Sequence, residues 1–229
     1  MKKLLILLAA GLLLLGAAMP RLVGEAQDHA TLSHSGYSDI RAVQLNWPAL
    51  SGTDKLSILS HAQPMDIAHT QASMTQEEVF AAVDREMTLY EDAGIFRWFE
   101  TTLQTAVPKL GIDGNDVNRF LVHWTVTYIN KTDPSRSLMV DLDDESGKIL
   151  SIRYDVFYET YSMDGVWERN RATMDAFTEI YFSQLDVTPP DYEYFERDGG
   201  VSSALYRFEE FAIEFFTEGA GGFYLYFPE

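Results

Sequence analysis

Cysteine is absent from the 229 residues. Disulfides, a thiolate nucleophile, a thiolate metal site and a lipid-modified cysteine anchor are excluded with it. Basic residues are scarce: 17 Lys and Arg stand against 35 Asp and Glu, for a net charge of −18. No nucleic-acid partner is expected, because phosphate contacts need clustered Lys and Arg. Docking onto anionic lipid headgroups is disfavoured for the same reason. Solubility is the plain use of such charge. Four of the 5 histidines (His29, His34, His61, His69) fall within residues 27–73, at spacings that match no helical i, i+4 ligand pair, so no zinc site is expected. A Gly-x-Ser-x-Gly elbow is missing. The glycine-rich stretch 219–222 lacks the lysine and the following helix that a phosphate-cradling loop needs. Ser33 and His34 are adjacent in sequence, which is not how a base is aimed at a nucleophile. Nothing calls for a cofactor, and no catalytic residue is picked out. The acids are too many for a glycosidase pair to be chosen among them.

What is present begins with a leader. Met1, Lys2 and Lys3 precede an unbroken apolar run over residues 4–19, then Pro20 and Arg21. This is the layout of a secretory signal. The run falls short of the ~20 residues that span a bilayer as a helix. Residues 1–26 therefore read as a signal peptide or membrane anchor, with everything after Arg21 outside the cytoplasmic membrane. The expected location is extracytoplasmic, secreted or held at a bacterial cell envelope, with membrane contact only through this segment. Residues 27–73 are rich in Ser, His, Ala, Gln and Thr and read as a stalk or loosely packed arm. Within it, Leu56 and Leu59 could face one way on a single helical turn.

Strong periodicity starts at Thr75. Thr75-Gln76-Glu77-Glu78 is a capping box, in which the threonine hydroxyl accepts the amide three residues on and the glutamate reaches back. Val79, Phe80, Val83, Met87 and Tyr90 then recur at threes and fours, one apolar helix face. Residues 95–110 fit a strand or a short helix equally, closed by Pro108 and Gly111. Residues 120–129 alternate: Phe120, Val122, Trp124, Val126 and Tyr128 face one way, and His123, Thr125 and Thr127 the other. His123 is expected at the surface or hydrogen-bonded. Turns at 131–137 and 145–147 separate further strands at 138–143 and 148–157. A second helical period runs over 164–186 through Trp167, Met174, Phe177, Tyr181 and Leu185, and Pro189 and Pro190 stop it. Three β-rich segments follow, at 192–196, 203–211 and 212–227, the last split by a turn at residues 219–222.

The expected fold is α+β: two helix-plus-three-stranded antiparallel units packed together after the N-terminal segment. The first unit covers residues 74–161 and the second 162–229. The alternative is one sheet of about six strands with two helices on a single face.

Two constellations stand out. Asp141, Asp143 and Glu145 lie in the densest run of acids. They would be the ligands of a calcium loop, but position six is Ser146 and position twelve Ile152 where glycine and glutamate are needed, so no metal site is expected. The hairpin that carries them, residues 138–143 through Gly147-Lys148-Ile149-Leu150-Ser151-Ile152, resembles the strand–Asp–turn–Ser-Gly-Lys–strand hairpin of PepSY-like domains, where a capped helix also precedes the sheet. The resemblance covers this hairpin and the helix order. It implies a small noncatalytic α+β module outside a bacterial membrane, linked to regulating peptidases or to sensing at the envelope. The second constellation is aromatic. Phe215, Phe216 and residues 223–227 are aromatic on both faces, so this segment is either buried on both sides or exposes a patch. Phe223, Tyr224, Tyr226 and Phe227 are the candidate partner contacts.

Three functions are compatible with this reading. An exported module that binds a protein or peptide predicts an exposed Tyr/Phe strand or an open sheet edge. An extracytoplasmic hydrolase predicts a deep cleft with two acids, one of raised pKa. A small-ligand carrier predicts an enclosed apolar pocket.

Overall fold

The computed structural model describes residues 49–95, 101–155, 165–197, 200–218 and 222–228. The apolar leader, His29, His34 and the first part of the segment read as a stalk lie outside them. The elements in chain order are α1 (Gly52–His61), β1 (Met65–Asp66), α2 (Gln76–Asp92), β2 (Thr101–Ile112), β3 (Phe120–Asn130), β4 (Ser137–Asp143), β5 (Ile149–Asp155), α3 (Val166–Gln184), β6 (Tyr192–Arg197), β7 (Val201–Arg207), β8 (Ala212–Glu218) and β9 (Phe223–Tyr226). Among the described residues no helix is long and apolar enough to cross a membrane.

All nine strands form one antiparallel sheet in the order β1-β2-β3-β4-β5-β9-β8-β7-β6. This overturns the expectation of two three-stranded units. α2 and α3 are each followed by four strands, because residues 101–112 form a long strand and the stretch from Ala212, split at its glycines as read, gives both β8 and β9. The two meanders then join along their last strands, where Arg153 pairs with Tyr224 and Tyr154 with Phe223. Pairing these strands removes two open edges that would otherwise invite association.

One face of the sheet carries the core. Trp124, Val126, Tyr128, Leu138, Val140, Leu142, Ile152, Phe215 and Phe223 are buried on it. The Thr75 capping box forms as read, with the Thr75 hydroxyl accepting from the Glu78 amide and Glu78 accepting from Thr75 N at 2.8 Å. α2 then lays Val79, Val83, Met87 and Tyr90 on this face. α3 adds Met174, Phe177, Tyr181 and Phe182. The two helices meet where Tyr90 stacks on Phe177, centroids 4.7 Å apart. Phe177 also lies 4.2 Å from Phe223. Tyr181 is fully buried, and its hydroxyl donates to the Leu150 carbonyl at 2.6 Å. α3 ends at Asp186, which takes a left-handed φ of 53° before the two prolines.

The segment read as a stalk is part of the fold from Gly52 onward. Ser51 and Asp54 make a reciprocal capping box, and Leu56 and Ile58 are fully buried. α1 lies across one end of the sheet's other face. A Cβ on Gly111 would point to that face, meeting Ala62 Cβ at 3.2 Å and Ile58 Cγ2 at 3.9 Å. At its start α1 abuts the end of α3, where a Cβ on Gly52 would come within 2.1 Å of the Leu185 carbonyl oxygen.

Candidate partner-binding face

The turn between β4 and β5 shows what the acid cluster does. Asp141 accepts from the Thr125 hydroxyl at 2.6 Å. Asp143, buried, accepts from Lys55 Nζ at 2.8 Å, from Ser146 N at 2.9 Å and from the Ser146 hydroxyl. Lys55 Nζ also reaches Glu145 at 2.9 Å. Asp144 accepts from Trp124 Nε1 at 2.7 Å and from the backbone amides of Ser73 and Met74. Burial by itself would lower the Lys55 ammonium, but its hydrogen bonds to Asp143 and Glu145 outweigh that and hold its pKa above the usual value. These carboxylates are clamps that fasten α1 and the start of α2 to the hairpin. Asp141, Asp143 and Glu145 are therefore occupied by protein donors, and among the described residues no group of three or more potential ligands is placed to hold a metal ion.

His123 is also not where the alternation put it. It does face away from the core helices, yet it is 1% exposed because α1 closes that end of the face. Nδ1 has no hydrogen-bond partner, and Nε2 lies 3.9 Å from Asp141. Burial lowers its pKa; Asp141 opposes that and Lys109 adds to it.

Two clefts bear on the enzyme and carrier readings. One, of about 700 Å³, lies beside the C-terminal half of α3 and is lined by Asp175, Glu179, Phe182, Asp191, Tyr192 and Tyr206 among others. It opens to solvent rather than enclosing an apolar space. The other, of about 450 Å³, lies between Glu78, Arg85 and the β4–β5 turn. Burial raises the Asp84 carboxyl, and Asp84 lines neither cleft.

The rest of the second face is a different surface. Cross-strand partners share a face, and successive registers place Thr105, Thr127, Met139, Arg153, Tyr224, Phe216, Ser203 and Phe195 in one row from β2 to β6. Among the described residues no helix covers this row. Leu103, Val107, Met139, Phe195 and Tyr226 stand exposed on the face, while among the described residues only Met65, Leu89 and Val117 are comparably exposed elsewhere. The registers place Lys109, Arg153, Arg197 and Arg207 on it, with Asp66, Asp141, Asp143, Asp155, Glu193, Glu214 and Glu218.

The centre of the row is aromatic and held in place. The Arg153 guanidinium sits 5.6 Å from the Tyr224 ring centroid, and the Arg197 guanidinium 5.0 Å from that of Phe216. Phe216 and Tyr226 stack at 5.2 Å. Glu214, though buried, accepts from Arg197 and from the Tyr226 hydroxyl, each at 2.9 Å. Burial first, and then this carboxylate, raises the Tyr226 phenol. Ser203 is buried between Phe195 and Phe216 in the row, and its hydroxyl has no hydrogen-bond partner.

The four aromatic candidates thus divide by parity along one strand. Tyr224 and Tyr226 lie on the uncovered face. Phe223 is buried against Phe177 and cannot meet a partner. Phe227 packs on the core beside Phe211. Sequence reading missed Arg153, Arg197 and Met139, and noted Phe216 in the aromatic segment without choosing it as a contact. Only the strand register connects them, although an Arg and a Phe at alternate positions on predicted strands were available as signals. No family model, curated protein or solved structure matches this chain.

Proposed function

We propose that this chain is a noncatalytic module, exported across the cytoplasmic membrane, that holds a protein partner on the uncovered face of its sheet. The observation that carries this reading is the row from Met139 to Phe195. The face around it exposes Leu103, Val107, Met139, Phe195 and Tyr226, and the row braces two arginines over aromatic rings. Contiguous exposed apolar surface on a monomer marks an interaction site, and Tyr and Arg are the residues that dominate binding energy at such sites. Pinned rings also lose little side-chain entropy on binding. The leader supports an extracytoplasmic setting. The likeness of the 138–152 hairpin to PepSY-like domains points to the same setting and to a regulatory rather than catalytic role.

The test is quantitative capture from extracytoplasmic fractions with the wild-type chain, the double variant Tyr224→Ser/Tyr226→Ser and a control, Val117→Ser, whose exposed side chain lies off the face. A partner retained by wild type and control and lost at least tenfold by the double variant is the expected result. Equal recovery by all three, or no enrichment by wild type, removes the face from consideration.

A further inference from the structure

We propose that β6 is a self-pairing edge: two copies of this chain join antiparallel through β6, centred on Phe195, with Glu193 of each facing Arg197 of the other.

β6 is the outermost strand of the sheet, and among the described residues nothing pairs with its outer side. It is six residues long, runs without a register break against β7, and is exposed over Glu193, Phe195, Glu196 and Arg197. Such an edge presents a row of unused backbone donors and acceptors. Natural edges are usually defended by charged side chains, most often lysine, or by a proline or a bulge. β6 has no lysine, proline or bulge, and its charged residues are Glu193, Glu196 and Arg197. Its charges on the uncovered face have opposite sign and sit symmetrically about Phe195 in the order Glu193, Phe195, Arg197.

That symmetry selects one register. In a two-fold antiparallel pair a residue faces its mate on the same side of the sheet, so the axis must pass through a residue. Centring on Phe195 stacks the two Phe195 rings and makes two reciprocal Glu193–Arg197 pairs. Centring on Glu193 or Arg197 opposes like charges. Centring on Glu196 does the same, and centring on Tyr194 sets Phe195 against Glu193. Opposite charges directly across a pair stabilise it and like charges destabilise it, so three of these five registers are penalised, and only the one centred on Phe195 pairs Glu193 with Arg197.

The side chains are free to serve. Glu193 and Arg197 are 58% and 53% exposed while contacting Arg207 and Glu214. A guanidinium has donors enough for two carboxylates. The two-fold axis would stand normal to the sheet. Both helix layers would then lie on one side, and the row ending at Phe195 would continue into the second copy. The proposal is independent of what binds that row.

The test exploits the absence of cysteine in the full-length chain. Directly paired Cα atoms lie about 4.5–5.5 Å apart, within disulfide reach. Phe195→Cys should form a disulfide-linked dimer under mild oxidation. Glu193→Cys and Arg197→Cys should each stay monomeric alone and cross-link when mixed. Cross-linking of Phe195→Cys no faster than an exposed Val117→Cys control would overturn the proposal. In sedimentation, Glu193→Arg and Arg197→Glu should each weaken self-association at least tenfold. An equimolar mixture of the two should restore it, because each carries the complement of the other. Glu193 pairs with exposed Arg207, a contact that contributes little to folding, whereas Arg197 pairs with the buried Glu214, so circular dichroism checks that both variants fold and the cysteine variants test the register without reversing a charge. A wild-type chain monomeric at every concentration, or a mixture no tighter than its components, would also overturn it. Tyr224→Ser/Tyr226→Ser should leave dimerisation unchanged, which separates this result from the fate of the partner-binding face.

Discussion

Replacing Lys55 by methionine should cost this fold about 3 kcal/mol, at the low end of the ~3–5 kcal/mol for breaking a buried pair by removing one partner. The Lys55 and Asp143 side chains are 9% and 1% accessible, and their charged atoms lie 2.8 Å apart. Methionine keeps the apolar stem, so the loss is the charge alone. Asp143 would remain buried with only the Ser146 amide and hydroxyl as donors, which holds the cost at the low end. A domain of this size loses roughly 2–4 °C in Tm per kcal/mol, so the expected drop is about 6–12 °C. Urea unfolding followed by tryptophan fluorescence reads it, since Trp124 is buried and bonded to the neighbouring Asp144. Adding Asp143→Asn to Lys55→Met removes the stranded charge, and the double variant should be no less stable than Lys55→Met. The raised Lys55 pKa gives the pH signature. The contribution is fully present below the unfolded lysine value near ~10.4 and is lost only as pH climbs through the folded value. A Lys55→Met loss below about 1 kcal/mol, or strictly additive effects of the two substitutions, would show that Asp143 is not a buried charge in need of its partner.

Acid should weaken the fold through His123. Its folded pKa lies below 6.5 because burial disfavours the imidazolium, so the unfolded chain takes up the proton first. Stability is unaffected above about pH 6.5 and falls below it, by at most ~1.4 kcal/mol per pH unit until the folded value is reached. His123→Leu should flatten the unfolding profile between pH 7 and pH 5, and an unchanged slope would exclude the histidine. Gly52→Ala should destabilise by at least about 2 kcal/mol, because the added methyl meets the Leu185 carbonyl oxygen at 2.1 Å. Gly114→Ala, whose nearest neighbour is 4.0 Å away, should be near neutral in the same melt, and equal losses would refute the steric account.

Local chemistry was the legible part of this chain. The Thr75 capping box is a four-residue pattern with its own hydrogen bonds, and it formed as read. The alternation of Trp124, Val126 and Tyr128 against Thr125 and Thr127 likewise gave β3 its inward face. What could not be read was non-local. The pairing of Tyr154 with Phe223 fuses two meanders into one sheet, and nothing near either residue signals it. Pro108 and Gly111 resembled strand terminators, yet β2 runs through both. Proline is tolerated near a sheet edge, and glycine is needed where α1 crosses close above. The Ser51–Asp54 cap of α1 was visible in principle but submerged in a polar, histidine-rich composition. Site residues failed for a similar reason: four aromatics in five positions look alike until a register sorts Phe223 inward and Tyr224 outward.

The acid turn ties the two ends of this architecture together in time as well as in space. Lys55 reaches Asp143 across 88 positions, and Ser73 reaches Asp144 across 71. Contacts so distant along the chain form slowly, since the closure entropy must be met before they stabilise anything. The β4–β5 hairpin closes locally and already carries its carboxylates in position. The contacts of the amino-terminal arm thus close far longer loops than the hairpin that receives them.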